Sequence, residues 1–193
     1  MKKYFSLFIT TVLLSTLLIF FCGCNEEKKA EKSVAGMFKA IKSLDFDGAQ
    51  EFLDADNFYQ GEDVKNLPEY ARIILDELCG KLDYKIVKSE KINANKIIVT
   101  TEITALDVQP IMTDFIKQAL ALSLGTSVLA KKDTETKLAK IARDLVSRSD
   151  LKTTTTTVDI DVVKNDKKWQ IVSGEEFENA MSGGLVDYAK NMK

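Results

Sequence analysis

The chain has 193 residues, and its 27 Lys and Arg against 29 Asp and Glu leave a net charge of −2. That balance excludes the basic footprint of a nucleic-acid binder. Histidine is absent, which excludes Ser-His and Cys-His nucleophilic centres and every imidazole metal site.

Met1-Lys2-Lys3 is a short positive start, and residues 5–21 (FSLFITTVLLSTLLIFF) carry no charge. A basic start, an apolar middle and a small residue at the border are the plan of a secretory leader. At about 17 residues the run also sits at the lower limit for an uncleaved membrane helix. The border reads Phe21-Cys22-Gly23-Cys24, and charged residues 25–32 (NEEKKAEK) follow at once. Gly23-Cys24 resembles the bacterial lipoprotein signal, in which an aliphatic residue and two small residues precede the cysteine. Phe21 is bulkier than the usual Leu, and Cys22 is small. The resemblance implies a diacylglyceryl thioether on Cys24 and cleavage after Gly23, which frees the Cys24 amine. Each buried acyl CH₂ contributes about 0.8 kcal/mol of membrane affinity, so two or three chains hold far more firmly than one. Residues 1–23 are then the signal, 24–30 a short charged tether, and 31–193 a single domain. Cys22 leaves with the signal and Cys24 is acylated. Cys79, at the end of an apolar helical pattern, remains as a buried small hydrophobe without a disulfide partner.

Val34, Phe38, Ile41 and Leu44 recur at helical spacing and predict a first helix from about Glu31 to Ser43. A short second helix follows Asp45 or Asp47 and carries Ala49, Phe52 and Leu53. Residues 54–66 read as a loop. A third helix is expected over 67–79, capped by Asn66, with Pro68 in its first turn and Gly80 past its end. The period then becomes two. Leu82, Tyr84 and Ile86 alternate with Asp83, Lys85 and Val87, and Ile97, Val99, Thr101, Ile103 and Ala105 line one face of the next strand. Asn93-Ala94-Asn95 between them marks a hairpin. Val158, Ile160 and Val162 begin a second hairpin, closed by Asn165-Asp166 before Lys168-Trp169-Gln170-Ile171-Val172. Two wide apolar stripes, over 108–124 and 134–148, predict a helical hairpin packed on the same core. A short helix near 175–181 and Gly183-Gly184 end the pattern.

This order is α+β: N-terminal helices packed on a curved antiparallel sheet of about four strands, with the helical hairpin inserted between the two β-hairpins. The late Trp169-Gln170-Ile171 strand and the closing KKWQIVSGEEFENAMSGGL are similar to those of small Gram-positive lipoproteins of unknown function. Those have a nuclear-transport-factor-2-like (cystatin-like) domain. The resemblance covers about 31–185 and implies a cone with a pocket between helices and sheet. The helices at 108–148 would be an insertion.

Other motifs are weak. Asp54-Ala55-Asp56-Asn57 opens like a calcium loop, but Phe58 and Tyr59 stand where an oxygen ligand and a glycine belong. Ser149-Asp150-Leu151-Lys152 matches a penicillin-recognising string, yet leads into a strand with no companion motif. Alternate members of Thr153–Thr157 face water, since Thr is a good strand former. Phe38, Phe52, Phe58, Tyr59 and Trp169 are core aromatics that could border a cavity. No catalytic, cofactor or metal residue is assigned, and Cys24 is the one modified site. The expected protein is a lipoprotein tethered to the membrane on its extracytoplasmic face. It is a non-enzymatic module for a peptide, a neighbouring envelope protein or a small apolar ligand, and a homodimer through the polar sheet face is open to it. The alternative is a small enzyme with a pocket carboxylate–Tyr acid–base pair.

Overall fold

The computed structural model describes residues 26–54, 64–125 and 131–192. Helix α1 occupies residues 26–42, so it starts five residues before the expected Glu31, and residues 26–30 of the stretch read as a tether are helical. Ala30, Val34, Met37, Phe38 and Ile41 form its buried stripe. The stripe runs back one turn further than the large apolar side chains signal, because Ala30 is fully buried. Leu44 takes a left-handed φ of 59° and turns the chain. Asp45 then caps α2 (Phe46–Gln50), its carboxylate accepting from the Gly48 amide at 2.9 Å.

Helix α3 (Glu69–Lys81) differs from expectation at both ends. Its N-cap is Pro68 rather than Asn66, and Gly80 lies inside it. The Leu82 amide still donates to the Leu78 carbonyl at 3.1 Å, so the ladder runs past Gly80. The backbone can pass because a glycine costs only about 1 kcal/mol in a helix, while Cys79 and Leu82 on either side are buried.

Strands β1 (Asp83–Asn93), β2 (Lys96–Leu106), β3 (Thr153–Asn165) and β4 (Lys168–Ile171) form one sheet in the order β1-β2-β3-β4, every pair antiparallel. Ile97, Val99, Ile103 and Ala105 of β2, Val158, Ile160 and Val162 of β3, and Trp169 and Ile171 of β4 form the buried face under α1. Expected alternation holds on β2 and β3 but breaks on β1. A bulge between Ile86 and Lys88 shifts the register and leaves Val87 exposed. Beyond it Ser89 takes the inward position and donates to Glu31 of α1 at 2.6 Å.

The inserted hairpin consists of α4 (Val108–Gly125) and α5 (Lys131–Val146). It does not join the core under the sheet. Ile111 and Phe115 of α4, Ala142 and Leu145 of α5, Ile74 of α3 and Leu106 at the end of β2 form a second core. Helix α3 is the shared wall, with Cys79 in the first core and Ile74 in the second. Tyr70 stacks on Phe115 at 5.4 Å. Arg148 clamps the hairpin's base, reaching Asp114 at 2.8 Å and Asp150 at 2.7 Å. Helices α6 (Glu175–Met181) and α7 (Leu185–Asn191) complete the fold, with Phe177 and Ala180 in the first core.

Candidate functional site

Among the described residues, aromatic side chains pack together in the interior where a pocket was expected. Phe38 stacks on Tyr84 with centroids 4.5 Å apart and meets Phe177 edge-on at 6.3 Å. Among the expected aromatics, Phe38 and Trp169 are therefore core, and Phe52 is half-buried beside Gly36, where a Cβ would run into its ring. Phe58, Tyr59, Cys22 and Cys24 lie outside the described residues. Asp54 accepts from Asn165 Nδ2 at 2.8 Å while its amide donates to the Ile171 carbonyl, which covers the open edge of β4. Asp56 and Asn57 lie outside the described residues, among which no group of three or more acidic or cysteine side chains could hold a metal. Ser149 and Lys152 are exposed in the turn before β3.

The threonine run departs from simple alternation. Thr153, Thr154, Thr155 and Thr157 are all exposed and Thr156 is half-buried. Thr154 and Thr156 have the inward parity, but burial on β3 begins only at Val158. On the outer face the sheet satisfies itself across strands: Lys85 with Glu102 at 3.1 Å, Lys96 with Asp161 at 2.7 Å, Thr100 on Asp159 at 2.6 Å, and Thr104 with Thr155 at 2.8 Å. Cys79 is buried as expected, and burial first, then the nearby Asp76 charge, pushes its thiol up to about 11.

Glu26 is the residue that sequence reading passed over. Its carboxylate accepts from Lys29 Nζ at 2.7 Å, Lys164 Nζ at 3.0 Å and Trp169 Nε1 at 2.8 Å. These donors, Lys29 foremost, hold the carboxyl at about 2, well below the usual range. Two turns on, Ser33 Oγ donates to the Trp169 carbonyl at 2.7 Å, and the Lys164 ammonium sits 5.6 Å from the Trp169 ring. The start of α1 is thereby fastened to the β3–β4 hairpin. The available signal is spacing: Glu26 stands one turn before Ala30, which stands one turn before Val34.

Two surface clefts flank α1 and α2. One, of about 450 Å³, lies between α1 and the start of β1 and is lined by Ala35, Gly36, Lys39, Lys42, Ser43 and Tyr84. Lys42 pairs with Asp83 at 3.2 Å, and with the Tyr84 amide it holds the Asp83 carboxyl below the usual range. The cleft thus has an apolar floor and a cationic rim. The other, of about 360 Å³, places Asp45, Asp47 and Asp76 with Lys65 and Arg72 around Leu44 and Leu75 and is of mixed charge.

No family model matches the chain, and no curated protein matches it. Among solved structures it is similar to a Bacillus subtilis protein, ycdA, whose crystal structure is described as that of a "putative lipoprotein". The TM-score is 0.39 at 15% identity, over 62% of this chain and 36% of that one. The chain therefore spans little more than a third of that protein's length. None of these three comparisons supports the nuclear-transport-factor-2-like resemblance. Among the described residues no helix is long and apolar enough to cross a membrane.

Proposed function

We propose that the chain is a lipoprotein, held on the extracytoplasmic face of a bacterial membrane through Cys24, and that its body is a non-enzymatic binding module. Support for the anchor is the abrupt border at Gly23-Cys24 between an uncharged apolar run and a charged one. The observation that carries the body's role is the cleft between α1 and β1, set beside an interior filled by Phe38, Tyr84 and Phe177. A partner group seats on the Ala35–Gly36 floor and the Tyr84 ring, with a carboxylate toward Lys39; Lys42 is engaged with Asp83. That chemistry fits an acidic, apolar segment of a neighbouring envelope protein. Among the described residues, the carboxylates displaced from their ordinary range, Glu26, Asp83 and Asp150, all move down, whereas a general acid at neutral pH needs one moved up.

Two measurements on the full chain expressed in a bacterium test this. Intact mass should show acyl groups on a chain that begins at Cys24, and Cys24→Ser should leave the envelope fraction unacylated. Titration with a peptide of alternating Asp and Phe should saturate, and Lys39→Glu should weaken it about tenfold, or about 1.4 kcal/mol. Peptide binding that does not saturate, or that ignores Lys39→Glu, overturns the cleft; a Cys24 chain free of acyl mass overturns the anchor.

A further inference from the structure

We propose that the end of the domain bearing both hairpin turns is its membrane-contacting face, with Lys91, Lys167 and Lys168 on anionic lipid headgroups. This rests on the Cys24 anchor proposed above. Glu26 is fixed to Lys164 and Trp169 of the β3–β4 hairpin, and two residues of chain span at most about 7 Å. An acylated Cys24 therefore keeps that hairpin near the headgroups. The β1–β2 turn lies at the same end, because the Lys164 amide donates to the Asn95 carbonyl at 2.9 Å. Only Asn25 lies between the anchor and the first helical residue, so the fold, through Glu26, limits the domain's orientation.

The chemistry of that end suits its position. Segment 90–96 carries Lys91 and Lys96 against Glu90, and segment 164–168 carries Lys164, Lys167 and Lys168 against Asp166, within a chain of net charge −2. Lys164 and Lys96 are engaged with Glu26 and Asp161, while Lys91, Lys167 and Lys168 are exposed. Ile92, at the β1–β2 turn, is 47% exposed beside Lys91. Among the described residues, Glu27 of α1 and Asp54, bonded to Asn165, are further carboxylates near this end. Attraction between lysines and anionic lipids acts within a Debye length, about 8 Å at physiological salt, and the short link keeps the turns inside it.

The test uses the full chain, processed in a bacterium and reconstituted into vesicles of phosphatidylglycerol with phosphatidylcholine, or of phosphatidylcholine alone. A water-soluble amine reagent and mass spectrometry read each lysine's modification rate, normalised to the same protein in detergent. Lys81 and Lys152, at the opposite end of the strands, are the internal references. Lys91, Lys167 and Lys168 should react about fivefold more slowly than the references, and more slowly in anionic than in neutral vesicles. An acylated chain whose five lysines react alike overturns the orientation while leaving the anchor intact. Protection equal in the two vesicle types overturns the headgroup contact. A chain without acyl mass overturns the anchor and the orientation with it.

Discussion

Glu26 shows how one carboxylate can fix a helix to a sheet. Three donors converge on it from two parts of the chain. The carboxyl's folded value of about 2 lies below its ordinary 4.5, so only the charged form is held by the fold. The linkage then has a definite sign: its contribution is complete above about 4.5 and fades as pH falls toward about 2. Glu26→Gln should lower the urea midpoint at pH 7, and the gap to wild type should close as acid is added through that window. The chain has a single tryptophan, Trp169, which donates to Glu26, so its fluorescence reports both the contact and unfolding. A gap that stays constant from pH 7 to pH 2 would remove the carboxylate's charge from the account. Cys79 yields a second residue-scale prediction. Thiolate is the reactive form, and a thiol at about 11 has almost none at pH 8. The acylated, processed protein should therefore show no reactive thiol when native and one when denatured. Unprocessed chain would show three in denaturant, since the sequence has three cysteines.

At the scale of elements, most of the fold is legible where one local signal acts alone. The two β-hairpins follow from alternation and Asn-rich turns, and β2 and β3 from Val158 to Val162 hold their expected faces. Misreadings occur where a distant contact overrides the local signal. Gly80 looks like a stop, yet the helix is carried past it by the burial of Cys79 and Leu82. Val87 looks like part of an alternating strand, but β1 bulges there so that Ser89 can meet Glu31. Gly183-Gly184 reads as the link between a short helix and a last turn, and each glycine has its own reason. Gly183 has φ of 61°, and a Cβ there would run into the Leu106 carbonyl oxygen; Gly184 has φ of 87° and open space around it. Gly184→Ala should thus cost only left-handed strain, about 1–2 kcal/mol. Gly183→Ala adds a collision with backbone and should cost about 3 kcal/mol or more. With about 2–4 °C per kcal/mol for a domain of this size, the two variants should separate by several degrees in Tm. Equal Tm values would mean that α6 and α7 can shift away from β2 freely.

At the scale of the whole molecule, the sequence marks amphipathic helices but not which core each one serves. The stripes on α4 and α5 are as wide as those of helices that cover a sheet, so a single core is the economical reading. Geometry sends them elsewhere, because α1 already covers the sheet face and α3 offers a second apolar side at Tyr70 and Ile74. The site was legible to the same limited degree. Phe38 and Tyr84 could be named as aromatics, but stacking between a helix and a strand fills the cavity they might have lined. The cleft beside them depends on α1's position over β1, which no local pattern encodes. Two cores meeting at one helix should open separately. Phe115→Ala removes the ring that stacks on Tyr70, and a truncation of this kind costs about 3 kcal/mol. Opening of the α4–α5 hairpin should become about a hundredfold easier, read as faster amide hydrogen exchange from Ile111 to Leu145. Exchange in β2 and β3 should stay within severalfold of wild type, since their buried apolar residues, apart from Leu106, belong to the core of Phe38 and Val34 rather than that of Phe115. Phe38→Ala should behave oppositely and accelerate the strands. If Phe115→Ala accelerates the strands as much as the hairpin, the two clusters unfold as one unit, and α3 is a continuous interior rather than a wall between two.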